Sequence, residues 1–563
     1  MARMQGLRWL LVVGLGLLGL RLGHLQLVRG AYYHRLAEQN RMRVIPEPAP
    51  RGLILDRRGR ILADNRPIFR VALVPQDLAD SQRVFSRVSD IVHRSPDTLR
   101  REFLKARGLA FLPATIVSRV SREAAFRLEE ERWRLPGLLI QAETVRHYPQ
   151  GASAAHLLGY LSEPTADELP VLKAYGVRPK QLIGRNGIER VLDESLRGRP
   201  GGLVVEVNNR GRQVRVIGRR APAPGARVVL TIDAQLQSLI EQSFGDQPGA
   251  AVVLDPASGE VLAMVSVPAF APETFVASDS AAVQRLLDDP AAPLMNRAAV
   301  GVYQPGSIVK LVTASAALEH QLVTPATAVV CSGAVTIGDR IFHCWNRDGH
   351  GALTLPEALM QSCNVYFMHL GRKVGLASLR AAMDRIGFSH RTGWMMDESA
   401  GHLSSRRLTE GEVALLAIGQ GEILLTPLQA VLMASVFANG GWLVEPWVVR
   451  SVADQPVSRR ASRRRIGWSR ATIEAVREGM IAVVRDPHGT GHRAFTEAVT
   501  IAGKTGTAQT HLPEQPHGWF VGFCPVAQPK VAMAIVTEHG GSGGDLPAEI
   551  ARTICEYADV GEL

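Results

Sequence analysis

The chain has 563 residues, of which 46% are hydrophobic and 21% are charged. This composition is typical of a globular protein with several domains and excludes a mainly disordered or collagen-like chain. The net charge of +11 suits nucleic acid, an anionic membrane surface or an acidic substrate, and by itself does not choose among them.

The first element along the chain is an apolar run from Trp9 to Leu20, which continues less regularly to Val28. About 20 such residues can cross a bilayer as a helix. No small-residue cleavage site follows, which favours an uncleaved anchor over a signal peptide. We therefore predict one transmembrane helix over residues 9–28. Arginines flank it on both sides, so the charge distribution does not settle its orientation.

The next segment, residues 29–220, is mixed and arginine-rich and shows no catalytic constellation. Strand-like runs occur at Arg70–Val74 and Leu203–Val207, and a polar helical stretch runs from Glu123 to Arg134. The stretch Arg219–Gly225 is rich in proline and alanine and is typical of a linker. We predict a mixed α/β domain that ends near residue 220.

The remaining residues, 221–563, predict a second, larger domain. Strands are expected early, at Val228–Ile232 and Ala251–Leu254, and again late, at Trp519–Phe523 and Val531–Thr537. Long helical segments lie between these two groups of strands. Helices flanked by early and late strands indicate an α+β domain.

The strongest local signal is Pro305-Gly306-Ser307-Ile308-Val309-Lys310. Pro-Gly predicts a helix start, so that Ser307 lies in the first turn, where free N–H groups favour developing negative charge. Lys310 is one turn further and faces the same side. A buried lysine with a lowered pKa can take the proton of a serine hydroxyl.

A second element, Ser362-Cys363-Asn364, precedes a helical run from Val365 to Leu370. A hydroxyl and an amide separated by one residue can face one pocket, where they relay a proton and hold a substrate amide. Taken alone, this pattern is near background.

A third element, Lys504-Thr505-Gly506-Thr507, follows an apolar run. As an edge strand it offers a cation, two hydroxyls and backbone N–H groups, and Gly506 lets a ligand approach the backbone. Such a strand can bind a carboxylate and supply one oxyanion donor. Two of the seven lysines of the chain fall in these motifs, and the three motifs together are a strong signal.

Other patterns are weaker. Gly540-Gly541-Ser542-Gly543-Gly544 fits a hydrolase nucleophile elbow, but no histidine follows His539 to complete the order that such enzymes use. Asp339, His343, Cys344 and His350 are suitable zinc ligands in a spacing that matches no standard pattern, so we predict no metal. Cys331 and Cys344 are either a local disulfide or buried thiols, and the sequence leaves both open.

The order S-x-x-K, S-x-N, K-T-G is similar to that of the penicillin-recognising serine acyltransferases. The resemblance extends over nearly the full chain to class B penicillin-binding proteins, including Arg51–Asp56 and Gly187–Arg190. His343-Cys344-Trp345 with Gly349-His350-Gly351, and the run Asn208–Arg212, resemble the elongation type, penicillin-binding protein 2, more than the division type.

This resemblance implies a fold: a short cytoplasmic tail at residues 1–8, a non-catalytic pedestal of dimerisation type at residues 29–220, and a transpeptidase domain at residues 221–563. It also implies D-Ala-D-Ala cross-linking of peptidoglycan stem peptides and covalent inhibition by β-lactams. Neither an organic cofactor nor a metal is required. A D,D-carboxypeptidase or a division-type transpeptidase is the alternative, because the same residues serve both.

The roles implied for individual residues follow the motifs. Ser307 is the nucleophile and Lys310 its base, while Ser362, Asn364 and Lys504 assist proton transfer and position the peptide. Thr505, Gly506 and Thr507 hold the terminal carboxylate, and the backbone N–H groups of Ser307 and Thr507 form the oxyanion hole.

The implied partners are a glycosyltransferase of the SEDS family, the rod-complex scaffold protein and the membrane, with no nucleic acid. The implied location is the cytoplasmic (inner) membrane, with the catalytic domain on its outer, periplasmic side.

Overall fold

The computed structural model describes the chain except for residues 1, 35–41, 79, 109–112, 175–176, 178–180, 209–212, 278, 458–461, 511–514 and 562–563. Most of the predicted Asn208–Arg212 motif therefore lies outside the described residues. Two compact units interleave along the chain. The first comprises Met1–Arg51, Asn65–Val145 and Arg197–Gly225, and the second Gly52–Asp64, Arg146–Leu196 and Ala226–Leu563.

The N-terminal element is a helix, Ala2–Gly23, that continues as a π-helical turn over His24–Val28. Its 21-residue segment Arg8–Val28 has a mean hydropathy of 1.7 and is not buried inside the molecule. An apolar helix that no protein surface covers is stable where lipid covers it. By length and composition it matches the predicted anchor at residues 9–28.

The first unit contains two sheets and a small helical core. Its three-stranded antiparallel sheet has the order Met42–Glu47, Gly201–Val207, Gln213–Arg220. The later part of strand Ile61–Leu73 pairs with Ala114–Val120 and also with Leu138–His147. Helices Ser81–Val92, Pro96–Ala106 and Arg122–Glu130 each begin at a side-chain cap and contribute to one apolar core.

The predicted strands and helix of this segment are confirmed, but the predicted linker begins too early. Arg219 and Arg220 pair with Leu203 and Gly202 at the end of the three-stranded sheet. The irregular segment starts only beyond them, because Pro222 and Pro224 have no N–H to donate to a strand ladder.

The second unit is built on five antiparallel strands, in the spatial order β2-β1-β5-β4-β3. They are β1 Gly249–Leu254, β2 Val261–Val267, β3 Ala502–Ala508, β4 His517–Cys524 and β5 Val531–Thr537. Their sequences are nearly continuous apolar runs because both faces of the sheet are covered. In β1, for example, Val252 belongs to the core on one face and Val253 to the core on the other.

The longer helices among the described residues of this unit are α1 Ala234–Phe244, α2 Lys310–Glu319, α3 Asn364–Arg385, α4 Pro427–Ala438, α5 Arg470–Arg485 and α6 Leu546–Asp559. Helices α1 and α6 cover one face of the sheet, and α4, which is buried on every side, covers the other. Helix α2 packs against α3 and α5. This is the α+β fold predicted for the domain, an antiparallel sheet with a helical subdomain.

Shorter elements connect these parts. The shorter strands of the second unit are Ile54–Leu55, Leu161–Ser162, Ile183–Gly184, Val228–Leu230, Val329–Cys331, Ala334–Ile337, Arg340–His343, Gly351–Leu353, His402–Leu403, Ile423–Leu424, Trp442–Val444, Val449–Val452, Gln455–Pro456 and Arg463–Arg465. The shorter helices include Ala155–Leu158, Leu169–Ala174, Gly187–Val191, Glu273–Val276, Ser280–Asp288, Leu355–Met360 and Glu410–Ala417.

Of the two possibilities left open for Cys331 and Cys344, buried thiols are confirmed, and a different pair of cysteines forms a disulfide. Cys524, at the end of β4, forms a disulfide with Cys555 in α6, 31 residues further along. Cys331 and Cys344 are buried free thiols. The disulfide therefore joins the sheet to its last helix, two elements whose proximity no local sequence pattern indicates.

Candidate active site

The nucleophile candidate is held at the start of a helix, as predicted. Ser307 lies in a 3-10 turn, Gly306–Val309, that leads directly into α2. Gly306 adopts a φ of +54° and donates its N–H to Gly419 O at 2.9 Å. A Cβ atom at Gly306 would lie 2.8 Å from Thr507 O. Glycine is therefore required here, and it brings the Ser307 turn against strand β3.

Lys310 is fully buried and makes three hydrogen bonds with the second motif. Its Nζ donates to Ser362 O at 2.7 Å, to Asn364 Oδ1 at 2.7 Å and to Ser362 Oγ at 3.2 Å. No hydrogen bond to Ser307 Oγ occurs among the described residues. In this state the amine is anchored by the S-x-N segment, one turn from the hydroxyl that it is predicted to deprotonate.

The S-x-N segment is a tight turn that ends at the first residue of α3. Ser362 has a φ of +51°, a left-handed conformation that is uncommon for a residue with a side chain and is found at functional sites. Cys363 caps α3 by accepting the N–H of Tyr366. This turn directs both Ser362 and Asn364 towards Lys310.

The K-T-G motif lies on β3, at the edge of the central sheet, as predicted. Lys504 is fully buried, and its Nζ donates to Ser362 Oγ at 2.9 Å. Thr505 and Thr507 line the same cavity as Ser307. A Cβ atom at Gly506 would lie 2.8 Å from Pro305 O. The protein's own backbone thus already requires glycine at this position, whether or not a ligand approaches it.

The two lysines are poor cations in this environment. Burial lowers the pKa of Lys310 from its ordinary value to about 8. Burial, together with the neighbouring charge of Lys310, lowers the pKa of Lys504 well below its ordinary value. Two amines that share one hydroxyl in a buried site favour a state in which at least one of them is neutral. A neutral lysine can act as a base, which is the chemistry that the first motif predicts.

All three motifs open into one cavity of about 1220 Å³. Ser307, Ser362, Asn364, Thr505 and Thr507 line it, so the structure brings together the predicted site residues on the cavity wall, with the two lysines buried behind them. Sequence reasoning missed several other lining residues: Tyr303, Gln304, Trp345, Gln420, Thr490 and His517. Ser542, from the nucleophile-elbow pattern, also lines this cavity.

Beside the S-x-N turn lies a buried cluster that could hold a metal ion. The ligand atoms of Cys331, Cys344, His350 and Cys363 all lie within 4.8 Å of one another. His350 Nδ1 is 3.5 Å from Cys331 Sγ and 3.6 Å from Cys344 Sγ, and Cys344 Sγ is 4.0 Å from Cys363 Sγ. Sulfur ligands of tetrahedral zinc are separated by roughly 3.8 Å, so three thiols and one imidazole fit that ion.

The cluster differs from the zinc set weighed in the sequence. Cys344 and His350 belong to it, but Asp339 and His343 do not. Their places are taken by Cys331, at the end of a short strand, and Cys363, the cap of α3. The hydrogen bond between Cys344 and Cys363 lowers the pKa of Cys344 and raises that of Cys363, so that it favours one thiolate of the pair. Asn364 N also donates to Cys344 Sγ, at 3.4 Å, so the cluster contacts the S-x-N turn directly.

Comparison with known proteins agrees with this geometry. Residues 249–556 match the model of the penicillin-binding protein transpeptidase domain, and residues 46–230 match that of the penicillin-binding protein dimerisation domain. The peptidoglycan D,D-transpeptidase MrdA of Acinetobacter baumannii is 31% identical, over 97% of this chain and 86% of its own. The corresponding protein of Escherichia coli K12 is 30% identical, over 97% and 92%.

Solved structures give the same result. Penicillin-binding protein PBP2 of Helicobacter pylori, solved in complex with MreC, has a TM-score of 0.81 and 27% identity, covering 93% of this chain and 99% of its own. A chain from a peptidoglycan synthase complex that coordinates polymerization and crosslinking has a TM-score of 0.77 and 29% identity, covering 100% and 99%.

A five-stranded antiparallel sheet that carries K-T-G on its edge strand, next to S-x-x-K and S-x-N, is typical of the penicillin-recognising class of serine acyltransferases. The matches over both domains are more specific: this chain belongs to the class B penicillin-binding proteins, in the group of penicillin-binding protein 2.

Proposed function

We propose that this chain is a peptidoglycan D,D-transpeptidase that cross-links stem peptides during cell elongation. The observation that carries the proposal is Lys310, which is buried, has a lowered pKa and lies between Ser362 and Asn364, one turn from Ser307. The same activity is supported by relatives named peptidoglycan D,D-transpeptidase, whose sequences are similar to this one over nearly its whole length.

The first half of the reaction transfers the donor peptide to the protein. Ser307 Oγ attacks the carbonyl carbon of the penultimate D-Ala while neutral Lys310 takes the hydroxyl proton. The N–H groups of Ser307 and Thr507 stabilise the oxyanion. The C–N bond then breaks, and terminal D-Ala leaves as an amine. Its proton comes through Ser362 Oγ, which is hydrogen-bonded to both Lys310 and Lys504.

In the second half, an amine of a neighbouring stem peptide attacks the acyl-Ser307 ester and restores the serine. Ser362 and Lys310 take the amine proton by the same route in reverse. A β-lactam opens on Ser307 in the same way but keeps its leaving group attached, so that the ester persists. The Thr505, Gly506 and Thr507 segment holds the carboxylate of either donor.

The proposal extends to location and partners. The apolar helix at the N-terminus anchors the chain in the cytoplasmic membrane, and the transpeptidase domain lies on the outer side, where peptidoglycan is. The Helicobacter relative was solved with MreC, and another structure belongs to a synthase complex that polymerises and cross-links. We infer that this chain also assembles with a scaffold protein and a glycosyltransferase of the SEDS family.

The test is covalent labelling of the detergent-solubilised full chain with benzylpenicillin, followed by intact-mass and peptide-mapping mass spectrometry. We expect one stable adduct on Ser307, and none in a Ser307→Ala variant that retains its fold. Ser542→Ala is a matched control, because that serine lines the same cavity. An adduct that survives in Ser307→Ala but is lost in Ser542→Ala would contradict the assignment.

A pentapeptide donor with an added amine acceptor separates transpeptidation from hydrolysis. We expect an amide between donor and acceptor, measured by liquid chromatography and mass spectrometry. Release of terminal D-Ala with no amide product would instead identify a D,D-carboxypeptidase.

A further inference from the structure

Two threonine hydroxyls meet on the wall of the cavity. Thr490 Oγ1 lies 2.6 Å from Thr505 Oγ1. Thr505 belongs to the K-T-G strand, whereas Thr490 lies in the connection between α5 and β3, outside the three motifs. Both residues line the cavity. The contact therefore links a motif residue to a residue that none of the motifs includes.

The connection that carries Thr490 is held firmly in place. Thr490 N donates to Met360 O at 3.2 Å, and Gly491 N donates to Val483 O at 3.0 Å. A Cβ atom at Gly489 would lie 2.3 Å from Val483 O, and one at Gly544 would lie 2.3 Å from Thr490 O. Close backbone packing on both sides thus fixes the position of the Thr490 side chain against β3.

The direction of the hydrogen bond follows from counting protons. Each hydroxyl has one proton to donate. Both hydrogen bonds of this chain form when Thr505 donates to Thr490 at 2.6 Å and Thr490 donates to Met360 O at 3.4 Å. A carboxylate that accepts the Thr505 proton requires the reverse arrangement, in which Thr490 donates to Thr505. If Thr490 donates to Thr505, the Thr505 proton remains for the cavity. In the opposite direction, Thr505 would present only lone pairs to the cavity, which repel an anion.

The orientation of the Thr505 hydroxyl depends on Thr490, whereas the orientation of the Thr507 hydroxyl does not. Thr505 is only 5% exposed, and among the described residues Thr490 is the one side chain that hydrogen-bonds to its hydroxyl. Thr507 is exposed, so water can orient its hydroxyl. A buried donor with one fixed partner is pre-organised, and hydrogen bonds in such a chain strengthen one another.

We propose that Thr490 is a positioning residue that orients the Thr505 hydroxyl towards the terminal carboxylate of the acyl donor. The inference rests on the proposed function and deepens it. The site prefers donors that end in a free carboxylate, and the inference attributes part of this preference to a residue outside the three motifs. In this proposal the effect of Thr490 on the substrate passes through the Thr505 hydroxyl.

The test compares an acid with its ester. Benzylpenicillin has a free carboxylate, and its methyl ester does not. We measure the second-order rate constant for acylation of Ser307 by each compound, using the full chain in detergent. We expect Thr490→Val to slow acylation by benzylpenicillin roughly five- to tenfold, the effect of about one net hydrogen bond. Acylation by the methyl ester is expected to change less than about twofold, since the carboxylate charge is gone.

Two variants serve as controls. Thr490→Ser keeps the hydroxyl and is expected to react with benzylpenicillin within about twofold of the wild-type rate. Thr324→Val removes a hydroxyl from another threonine pair, Thr324 and Thr327, whose oxygens are 3.2 Å apart outside the cavity. That variant is expected to leave both rates unchanged. If Thr490→Val fails to fold, Thr490→Ala replaces it.

Equal slowing of the acid and the ester would overturn the proposal, because Thr490 would then act on the scaffold and not on carboxylate recognition. An unchanged rate with the acid would overturn it as well. These results differ from a failure of the proposed function, which would appear as a wild-type chain that benzylpenicillin does not acylate at Ser307.

Discussion

The two buried lysines determine the chemistry of the site at the scale of single residues. Lys310 and Lys504 approach Ser362 Oγ from two sides, at 3.2 and 2.9 Å. A proton placed on one amine disfavours a proton on the other, since both are removed from water. The site therefore holds a base next to an acid, linked by one hydroxyl, as an acyl transfer that moves a proton in each half-reaction requires.

The pH dependence of acylation follows from Lys310. Burial lowers its pKa to about 8, so the neutral form, which is the base, grows as pH rises towards 8. We expect the rate of Ser307 acylation by benzylpenicillin to rise about tenfold per pH unit below that value and to level off above it. Stopped-flow or quenched labelling between pH 5.5 and 9.5 measures the profile.

Lys310→Arg is the control for this profile, because a guanidinium stays protonated over the whole range. We expect acylation in that variant to be nearly abolished and to show no rise. A wild-type profile that still rises tenfold per pH unit up to pH 9.5 would contradict the prediction, because it would show that burial does not lower the pKa of the base to about 8.

Individual site residues could be predicted from the sequence because their chemistry is local. Ser307 and Lys310 share one helical turn, and Ser362 and Asn364 share one tight turn. Thr490 could not be predicted, since its role depends on a contact with Thr505, across 15 residues and the turn into β3. The Gly-Thr-Gly sequence at 489–491 is the one local signal, and it indicates a close packing position without saying what is packed.

At the scale of elements, the edge position of β3 is what makes the site accessible. Its neighbours in the sheet are covered on both faces, whereas β3 has a free edge next to the Ser307 turn. The apolar run before Lys504 predicts a strand, and the lysine, threonines and glycine that follow are unsuited to a covered central position. The sequence pattern alone therefore indicates an edge strand.

The cysteine–histidine cluster is an element-scale feature that the sequence did not indicate. Its ligands come from a strand end, a hairpin, a loop and a helix cap, so their spacing resembles no standard zinc motif. The sequence predicted no metal, and the geometry admits one zinc ion per chain, which we propose as the occupant. Elemental analysis of the purified full chain distinguishes the two.

We expect chelation to lower the thermal midpoint, because a closed four-ligand site contributes directly to folding stability. Cys331→Ser is expected to reduce the zinc content severalfold. Cys524→Ser combined with Cys555→Ser is the matched control for zinc content, since that pair forms the disulfide and lies outside the cluster. A metal-free chain whose midpoint a chelator does not change would show that the four groups are only packed together.

At the scale of the whole molecule, the Cys524–Cys555 disulfide bears on two properties: the stability of the folded chain and the side of the membrane on which the domain lies. It closes a loop of 31 residues between β4 and α6, and a cross-link that closes a loop of this size stabilises the folded chain by about 3.7 kcal/mol. Structural disulfides persist in oxidising compartments and are rare in the cytoplasm. The bond therefore agrees with a transpeptidase domain outside the membrane, a placement that the flanking arginines left open.

We expect non-reducing mass spectrometry of the protein extracted from membranes under alkylation to recover a linked Cys524–Cys555 peptide. Cys331, Cys344 and Cys363 are expected as alkylated thiols after unfolding. Alkylation of all five cysteines without a reductant would place the domain in a reducing compartment and contradict the proposed orientation.

The sequence by itself determined the membrane-length helix, the α+β class and the three site motifs, because each depends on residues within a few positions of one another. Periodicity, turn residues and charge act locally, and they can be recognised in a single segment. Tertiary structure alone decided which distant groups meet: Cys524 with Cys555, Thr490 with Thr505, and three cysteines with His350. Those pairings follow from how strands and helices pack around a core, and no short segment of the chain contains both partners.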